Sequence, residues 1–370
     1  MSANDLKNSP LQGRHEVLGA KMADFGGWLM PIEYAGGGVL AEHKAVRDGV
    51  GIFDVSHLGK VSVTGAGASY FINSVLSNDI GRIEPGSAQY TLCCDDSSGG
   101  VVDDLILYLN GPDDVFLVPN AANSAEVVRR MNAVVPAGVT ITDQHEQYGV
   151  IAVQGPSSAE LLRELGLPTD MDYMAFVPAT YSGAELTVCR TGYTGELGYE
   201  LVVDWDSSEL LWDALLERGS GLGARACGLG ARDTLRTEMG YPLHGQDLSL
   251  QITPNQARSG WAVGWQKPAF WGREPLSAER AAKAARLLWG LESTDRGIPR
   301  PHMQVIGAAD TPVGEVTSGT FSPTLRKGIG LALIDRASGL GEGDEVRVDV
   351  RGRTSVMRIV KPPFVPSHVR

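Results

Sequence analysis

Three stretches of this sequence place charged residues where apolar or glycine-rich chain surrounds them. In GGVVDDLILYLN (99–110), Asp103 and Asp104 interrupt a run of Val, Leu and Ile. Strand side chains alternate, so Asp103 shares a face with Val101, Leu105 and Leu107, and Asp104 shares one with Val102, Ile106 and Tyr108. A strand covered on both faces cannot show both carboxylates to water. In RTGYTGELGYE (190–200), Gly192, Gly195 and Gly198 permit tight turns and close approach of backbone to a ligand, with Glu196 held inside a turn. In CGLGARDTLRTE (227–238), Gly228 and Gly230 precede a helix start, and Arg232 and Arg236 stack at i, i+4. A fixed carboxylate accepts paired N–H donors through short, charge-assisted bonds, and stabilises positive charge that develops during a transfer.

The surrounding pattern predicts the elements that position these groups. YTLCC (90–94), DDLILYL (103–109) and VFLVPN (115–120) read as strands, separated by the turn signals DDSSGG and NGPDD. They form an antiparallel meander with Asp103 and Asp104 on its middle strand. Helices are expected over 39–49, capped by Gly49, over 157–165, with Ser157 and Glu160 as a capping box, over 208–217, and from about Ala231 to Gly240. GVIAVQG, AELTVCRTGY and YELVVDW are strand-like, without the regular alternation of a parallel βαβ array. SAERAAKAAR (277–286) reads as a linker or a short helix. After it come LLWGLES, GEVTSGTFS, IGLALI and DEVRVDV, an all-β module of sandwich or barrel character.

Composition narrows the function classes. The chain has 370 residues, 43 % hydrophobic and 21 % charged, which suits a soluble globular protein of two or three domains. A formal net charge of −12 argues against a nucleic-acid phosphate track. The four cysteines form no CxxC pair and read as reduced core residues. The seven histidines form neither HExxH nor HxxxH, so no metal site is expected. The N-terminus lacks a signal-peptide pattern and no run is long enough to span a bilayer, so a cytoplasmic protein with no membrane partner is expected. GAGA (65–68) and GSGLG lack the full GxGxxG of a dinucleotide fold.

The three motifs, with MADFGGWLMPIEY (22–34), GIFDVSHLG (51–59), AVQGP (152–156), HGQDL (244–248), SGTFSPTL (318–325) and KPPFVP (361–366), resemble the aminomethyltransferases, the T-proteins of the glycine cleavage system. The resemblance runs from about residue 9 to the C-terminus. It implies an α+β, three-lobed fold with mixed antiparallel sheets and a C-terminal jelly-roll or barrel-like domain. It implies a folate-binding region over 1–276, in two interleaved lobes (1–50 with 145–175 and 225–276, and 51–144 with 176–224), then a β-barrel domain over 285–370. The implied reaction passes the aminomethyl-derived carbon from the lipoyl arm of H-protein to tetrahydrofolate, releasing ammonia and forming 5,10-methylenetetrahydrofolate.

The resemblance also implies residue roles. Asp103 matches the key aspartate, beside the reacting folate nitrogens, either positioning folate or also moving protons; Asp104 is left a structural role. Glu196 matches the pterin-anchoring glutamate. Arg232 and Asn120 match ligand contacts. Tyr193, Tyr90, Leu58 and Tyr241 match the pocket lining, and Arg300 and Arg370 match candidates for the glutamyl tail or the mouth of a lipoyl channel. Arg258, Lys267 and Arg273 are candidates for docking H-protein. Two other readings share the folate motifs: a tetrahydrofolate-dependent demethylase, and a non-enzymatic folate-binding protein, whose KGCYxGQE-type motif is replaced here by RTGYTGELGYE.

Overall fold

The meander is present. Strands Ser87–Cys94, Val101–Gly111 and Asp114–Val118 pair antiparallel in that order in the computed structural model, which describes residues 6–350 and 352–370. Val61–Thr64 and Thr140–Asp143 extend the sheet to five strands. One face, carrying Leu105, Leu107, Leu109, Val115 and Leu117, packs on Phe71, Ile72, Val127 and Met131 of helices Ala68–Val75 and Ser124–Asn132. The opposite face presents Ile106, Tyr108 and Phe116 to a second sheet, against Val55, Val150, Phe176 and Val202. The middle strand is therefore covered on both sides, as its continuous apolar run requires.

The second sheet has six strands, in the order Phe176–Tyr181, Ala184–Cys189, Gly198–Asp204, Tyr148–Gln154, Gly51–Asp54 and Arg225–Cys227. Its outer face packs on helices Ser158–Glu164 and Ser208–Gly219 through Leu161, Leu162, Leu211, Trp212 and Leu215. This corrects the expected division into lobes. Gly51–Asp54 and 176–204 pair with 148–154 rather than with the meander, whose own strands all lie between 61 and 143. Strands buried on both faces read as uniform apolar runs, and such a run does not say which sheet it joins.

Helix Gly38–Asp48 ends at Gly49, as expected. Helix Ser158–Glu164 corrects the capping box: Ser157 makes no side-chain cap bond. Helix Leu229–Met239 stops at Gly240, whose φ of 67° lies in the left-handed region that ends helices without a Cβ penalty. The first part of the Ala-rich stretch, 277–282, completes helix Arg273–Ala282, and the rest leads into the C-terminal module. That module is a closed antiparallel barrel, in the order Arg286–Ser293, Lys327–Asp335, Pro312–Ser322, Gln304–Ile306, Glu345–Val350 and Arg353–Val360. Leu291, Val305, Val316, Ala332, Val348 and Ile359 fill its interior. No helix among the described residues is long and apolar enough to cross a membrane.

Buried polar bonds join the barrel to the core. Arg236 Nη1 pairs with Asp247 at 2.9 Å, and Ser318 Oγ donates to Asp247 at 2.7 Å. Glu238 accepts from Ser322 Oγ at 2.5 Å, Thr324 N at 3.1 Å and Arg47 Nη2 at 2.7 Å. Burial alone would raise the Glu238 pKa, but bonds from His43, Ser322 and Arg47 outweigh it and hold it at about 2, below the ordinary 4.5. A depressed carboxylate contributes stability that is present above its ordinary pKa and lost as pH falls through its folded value. Thermal melts should therefore show stability dropping between about pH 4.5 and about 2. Glu238→Gln should flatten that part of the profile, and an unchanged acid limb would contradict the assignment.

Candidate active site between the two sheets

Strand alternation separates the paired aspartates and gives them different surroundings. Asp103 lies on the helix-packed side, opposite Cys93, and is 0 % exposed. Asn120 Nδ2 and Asn123 Nδ2 donate to its Oδ1 at 2.9 and 2.7 Å, and Asn120 N donates to its Oδ2 at 2.9 Å. Asn123 Nδ2 also lies 2.9 Å from His244 Nδ1, and His244 Nε2 lies 3.0 Å from the Val101 carbonyl. A carbonyl only accepts, so the His244 proton sits on Nε2 and its Nδ1 accepts from Asn123. Asp103 thus fixes the 120–123 turn and has no oxygen left unbonded.

Asp104 is half-buried on the face turned toward the second sheet. Tyr90 OH donates to its Oδ2 at 3.0 Å, and Asn120 Nδ2 approaches its Oδ1 at 3.1 Å. Burial raises the pKa of both aspartates, and the neighbouring Asp104 charge raises Asp103 further. Both Asp104 oxygens accept too, but Asp104 keeps some exposure where Asp103 has none.

The glutamates of RTGYTGELGYE divide in the same way. Glu196 is buried, paired with Arg47 Nη1 at 2.8 Å and with His368 Nδ1 at 3.0 Å. Both of its oxygens are committed to the frame. The turn that carries it needs Gly195, whose φ is +82° and where a Cβ would collide with the Met239 side chain. Glu200 is the third residue of strand Gly198–Asp204. Its neighbours Tyr199, Leu201 and Val203 face the outer helices, while Val202 faces the gap, so alternation turns Glu200 to the gap too. Thr191 Oγ1 donates to Glu200 Oε2 at 2.6 Å. Sequence reasoning passed over Glu200, although the alternation in YELVVD was the signal for it.

Arg232, on the first turn of helix Leu229–Met239, completes this end of the gap. Its guanidinium lies 4.8 Å from the Tyr193 ring centroid, and its Nη1 is buried without a hydrogen-bond partner. Burial lowers the Arg232 pKa, and the Glu200 charge opposes that. A buried guanidinium nitrogen with no partner is costly, which marks it as a group built to meet a ligand. Tyr193 stacks on Tyr241 at 5.6 Å, and its hydroxyl donates to the Pro242 carbonyl. Arg370, at the end of the C-terminal tail, lies 5.6 Å from the Tyr173 ring. The tail itself is tied to the RTGYTGE turn by His368 N to Gly195 O at 2.7 Å and Arg190 Nη2 to Val369 O at 2.8 Å.

Of the other residues named from the sequence, Leu58 packs on the core between the sheets, and Asn120 bridges both aspartates. Tyr90 stacks on Trp261 at 5.3 Å and 26°, and Trp261 is 65 % exposed. Trp265 Nε1 donates to Gly260 O at 2.9 Å and Ser77 Oγ to Ala262 O at 2.7 Å, so the exposed indole stands on a pinned turn at the mouth of the site. Trp261 was missed; a tryptophan in the Gly-flanked turn SGWAVG was its only sequence signal. Arg300 does not join the site. It is exposed and donates to Gly319 O at 3.0 Å within the barrel. Lys267 is not a surface docking residue either, because its buried amine donates to Leu76 O and Asn78 O at 2.6 and 2.8 Å. Burial pushes its pKa down to about 8.

A cleft of about 810 Å³ opens in the same gap, lined by Tyr108, Phe116, Tyr148 and Phe176 among others. It contains neither Asp104 nor Glu200. Tyr108 OH stands 3.4 Å from Thr191 Oγ1, the hydroxyl bonded to Glu200, so this tyrosine links the cleft wall to Glu200. Among the described residues no group of His, Cys, Asp and Glu is arranged to hold a metal ion. All four cysteines are buried and free.

The chain is similar to known proteins along its whole length. Residues 11–267 match the GCVT N-terminal domain, and 286–366 match the glycine cleavage T-protein C-terminal barrel domain. An aminomethyltransferase of Frankia alni is 69 % identical over 99 % of this chain and 100 % of its own. One from Mycobacterium tuberculosis is 58 % identical over 99 % of each. The crystal structure of glycine cleavage system aminomethyltransferase T from Bartonella henselae superposes with a TM-score of 0.91 at 30 % identity, over 98 % of this chain and 99 % of that one. With two domain models and full-length relatives in agreement, the chain belongs to the aminomethyltransferase family, the T-proteins of the glycine cleavage system.

Proposed function

We propose that this aminomethyltransferase moves the aminomethyl-derived carbon from a lipoyl arm of H-protein to tetrahydrofolate, and that Asp104 and Glu200 are the carboxylates that handle the folate. The observation that carries this reading is their common placement. Strand alternation turns both toward the space between the facing sheets, and the Glu200 charge acts on Arg232, whose Nη1 has no protein partner. A pterin edge offers a ring N–H beside an exocyclic amino group, and Glu200 accepts both through its two oxygens. Arg232 faces the same edge. Asp104 then lies toward the reacting nitrogens N5 and N10, where its charge stabilises a developing cationic methylene and orients the attacking amine. Tyr90 OH and Asn120 Nδ2 hold that carboxylate in place. Trp261, Tyr193 and Tyr241 supply aromatic walls that keep water off the reacting centre.

The bond changes balance. The carbon's bonds to nitrogen and to sulfur break, and bonds to N5 and N10 form. The two protons lost from N5 and N10 leave on ammonia and on the dihydrolipoyl thiol. The chain works in the cytoplasm, where its buried thiols stay reduced. The test is an assay with tetrahydrofolate and aminomethyl-lipoyl H-protein. Ammonia and 5,10-methylenetetrahydrofolate should appear in equal amounts. Formation of 5-methyltetrahydrofolate from a methylated donor, with no ammonia from H-protein, would place the chain with the demethylases instead.

A further inference from the structure

His57, in the FDVSH stretch, takes no part in the mechanism above, yet its loop is bonded to the chain next to Asn120. It is 3 % exposed, and its Nδ1 is buried with no hydrogen-bond partner. The loop that carries it is rigid. Leu58 N donates to Val55 O at 3.1 Å and Gly59 N to Pro119 O at 2.7 Å, which sets the loop beside Asn120. His145 Nε2 donates to the His57 carbonyl at 2.8 Å, and the Phe25 ring meets the imidazole edge-on at 5.2 Å. The Asp54 charge favours its protonation, and the charges of Arg232, Lys60 and His145 oppose it. Burial dominates and pushes the imidazole down to about 3, so the ring is neutral at working pH.

Two buried nitrogens, His57 Nδ1 and Arg232 Nη1, thus lack partners in the protein, on chain segments whose neighbouring residues Leu58 and Ala231 pack in one cluster. Native proteins leave few such groups unpaired. The Arg232 nitrogen can only donate, so an atom shared by both must be an acceptor. A neutral imidazole meets that demand as its Nδ1–H tautomer. The tetrahydropterin edge has one acceptor in the right place, the 4-carbonyl oxygen, next to the N–H and amino group assigned to Glu200.

We propose that His57 is a further substrate-positioning residue: its Nδ1–H donates, alongside Arg232, to the 4-carbonyl oxygen of the pterin. With Glu200, the pair then reads the full acceptor–donor–donor edge, and a 4-amino pteridine is rejected because its amino group meets two donors. The inference rests on the tetrahydrofolate reading above. It makes His57 a determinant of which pteridine the site takes.

The experiment measures binding of tetrahydrofolate and of its 4-amino analogue to the wild-type chain, His57→Phe and His57→Asn, with thermal melts of all three. Phenylalanine keeps the ring against Phe25 and removes both nitrogens; the asparagine amide restores a donor near the Nδ1 position. The expected result is that His57→Phe weakens tetrahydrofolate binding on the order of 10- to 100-fold. Binding of the 4-amino analogue should change little, and His57→Asn should recover most of the loss. Wild-type affinity in a folded His57→Phe, or equal loss on both pteridines, would overturn the assignment while leaving the tetrahydrofolate reading intact. Failure of the wild-type chain to bind tetrahydrofolate would overturn both. Should His57→Phe not fold, His57→Leu, which also lacks a donor, takes its place in the comparison, and a retained 4-oxo preference in it would count against the proposal.

Discussion

Replacing Asp104 by Asn is expected to lower kcat on the order of 100- to 1000-fold, while tetrahydrofolate binding changes by no more than about 3-fold. The carboxylate acts on charge that appears only during transfer, so its loss is felt in the transition state rather than in the bound complex. Asparagine fills the same volume and still accepts from Tyr90 OH, whose bond to Asp104 Oδ2 is 3.0 Å. Burial raises the Asp104 pKa from its ordinary value, so the wild-type acid limb of kcat should sit higher than that of a free aspartate and should vanish in Asp104→Asn. Asp103→Asn should behave differently. Its amide would point an N–H at the donors Asn120 and Asn123, whose amides lie 2.9 and 2.7 Å from Asp103 Oδ1. The cost should appear as about 1–3 kcal/mol of lost stability. Steady-state kinetics beside thermal melts separate the two variants. A folded but dead Asp103→Asn, beside an Asp104→Asn that turns over normally, would exchange the roles of the two aspartates.

Glu200→Gln is the complementary case, with its effect on binding. The amide places one N–H donor where the pterin edge already presents donors, and it removes the charge that faces Arg232. We expect tetrahydrofolate affinity to fall by about 2–4 kcal/mol, on the order of 30- to 1000-fold in Kd. Glu196→Gln should leave affinity much closer to wild type. Its losses are the ion pair to Arg47 and the bond to His368, at 2.8 and 3.0 Å, which hold the C-terminal tail and the barrel side of the molecule together. Calorimetric titration of both variants decides between them, and an unaltered Kd in Glu200→Gln would rule out its contact with the pterin.

These two pairs show where sequence reasoning reached and where it stopped. The meander, its central strand and the separation of Asp103 from Asp104 by face all followed from period-two alternation and from two turn signals. The barrel followed from short strands punctuated by glycine-rich turns. Which face of the central strand looked into the site did not follow, because both faces are apolar and both are covered: Leu105 and Leu107 pack on helices, while Ile106 and Tyr108 pack on the second sheet. Motif position alone favoured the first aspartate, and likewise the glutamate in the glycine turn over the one in the strand. Asp103 and Glu196 are bonded on both oxygens to neighbours distant in sequence, Asn120 and Asn123 for Asp103, Arg47 and His368 for Glu196; Asp104 is bonded on both oxygens as well and differs in its partial exposure. Such partners are set by tertiary packing and leave no local trace. The same holds for Arg300, whose PRP turn looks exposed and available but lies on the barrel. Trp261 is the converse case, a solvent-facing aromatic that matters because a distant Tyr90 stacks on it.

The central claim, that the gap between the sheets is a tetrahydrofolate site bounded by Asp104 and Glu200, is tested most directly by a crystal structure of the chain with tetrahydrofolate bound. The pterin edge is expected on Glu200 and Arg232, with N5 and N10 beside Asp104. Folate seated instead in the cleft lined by Tyr108, Phe116 and Phe176, or held by Glu196 and Asp103, would contradict it.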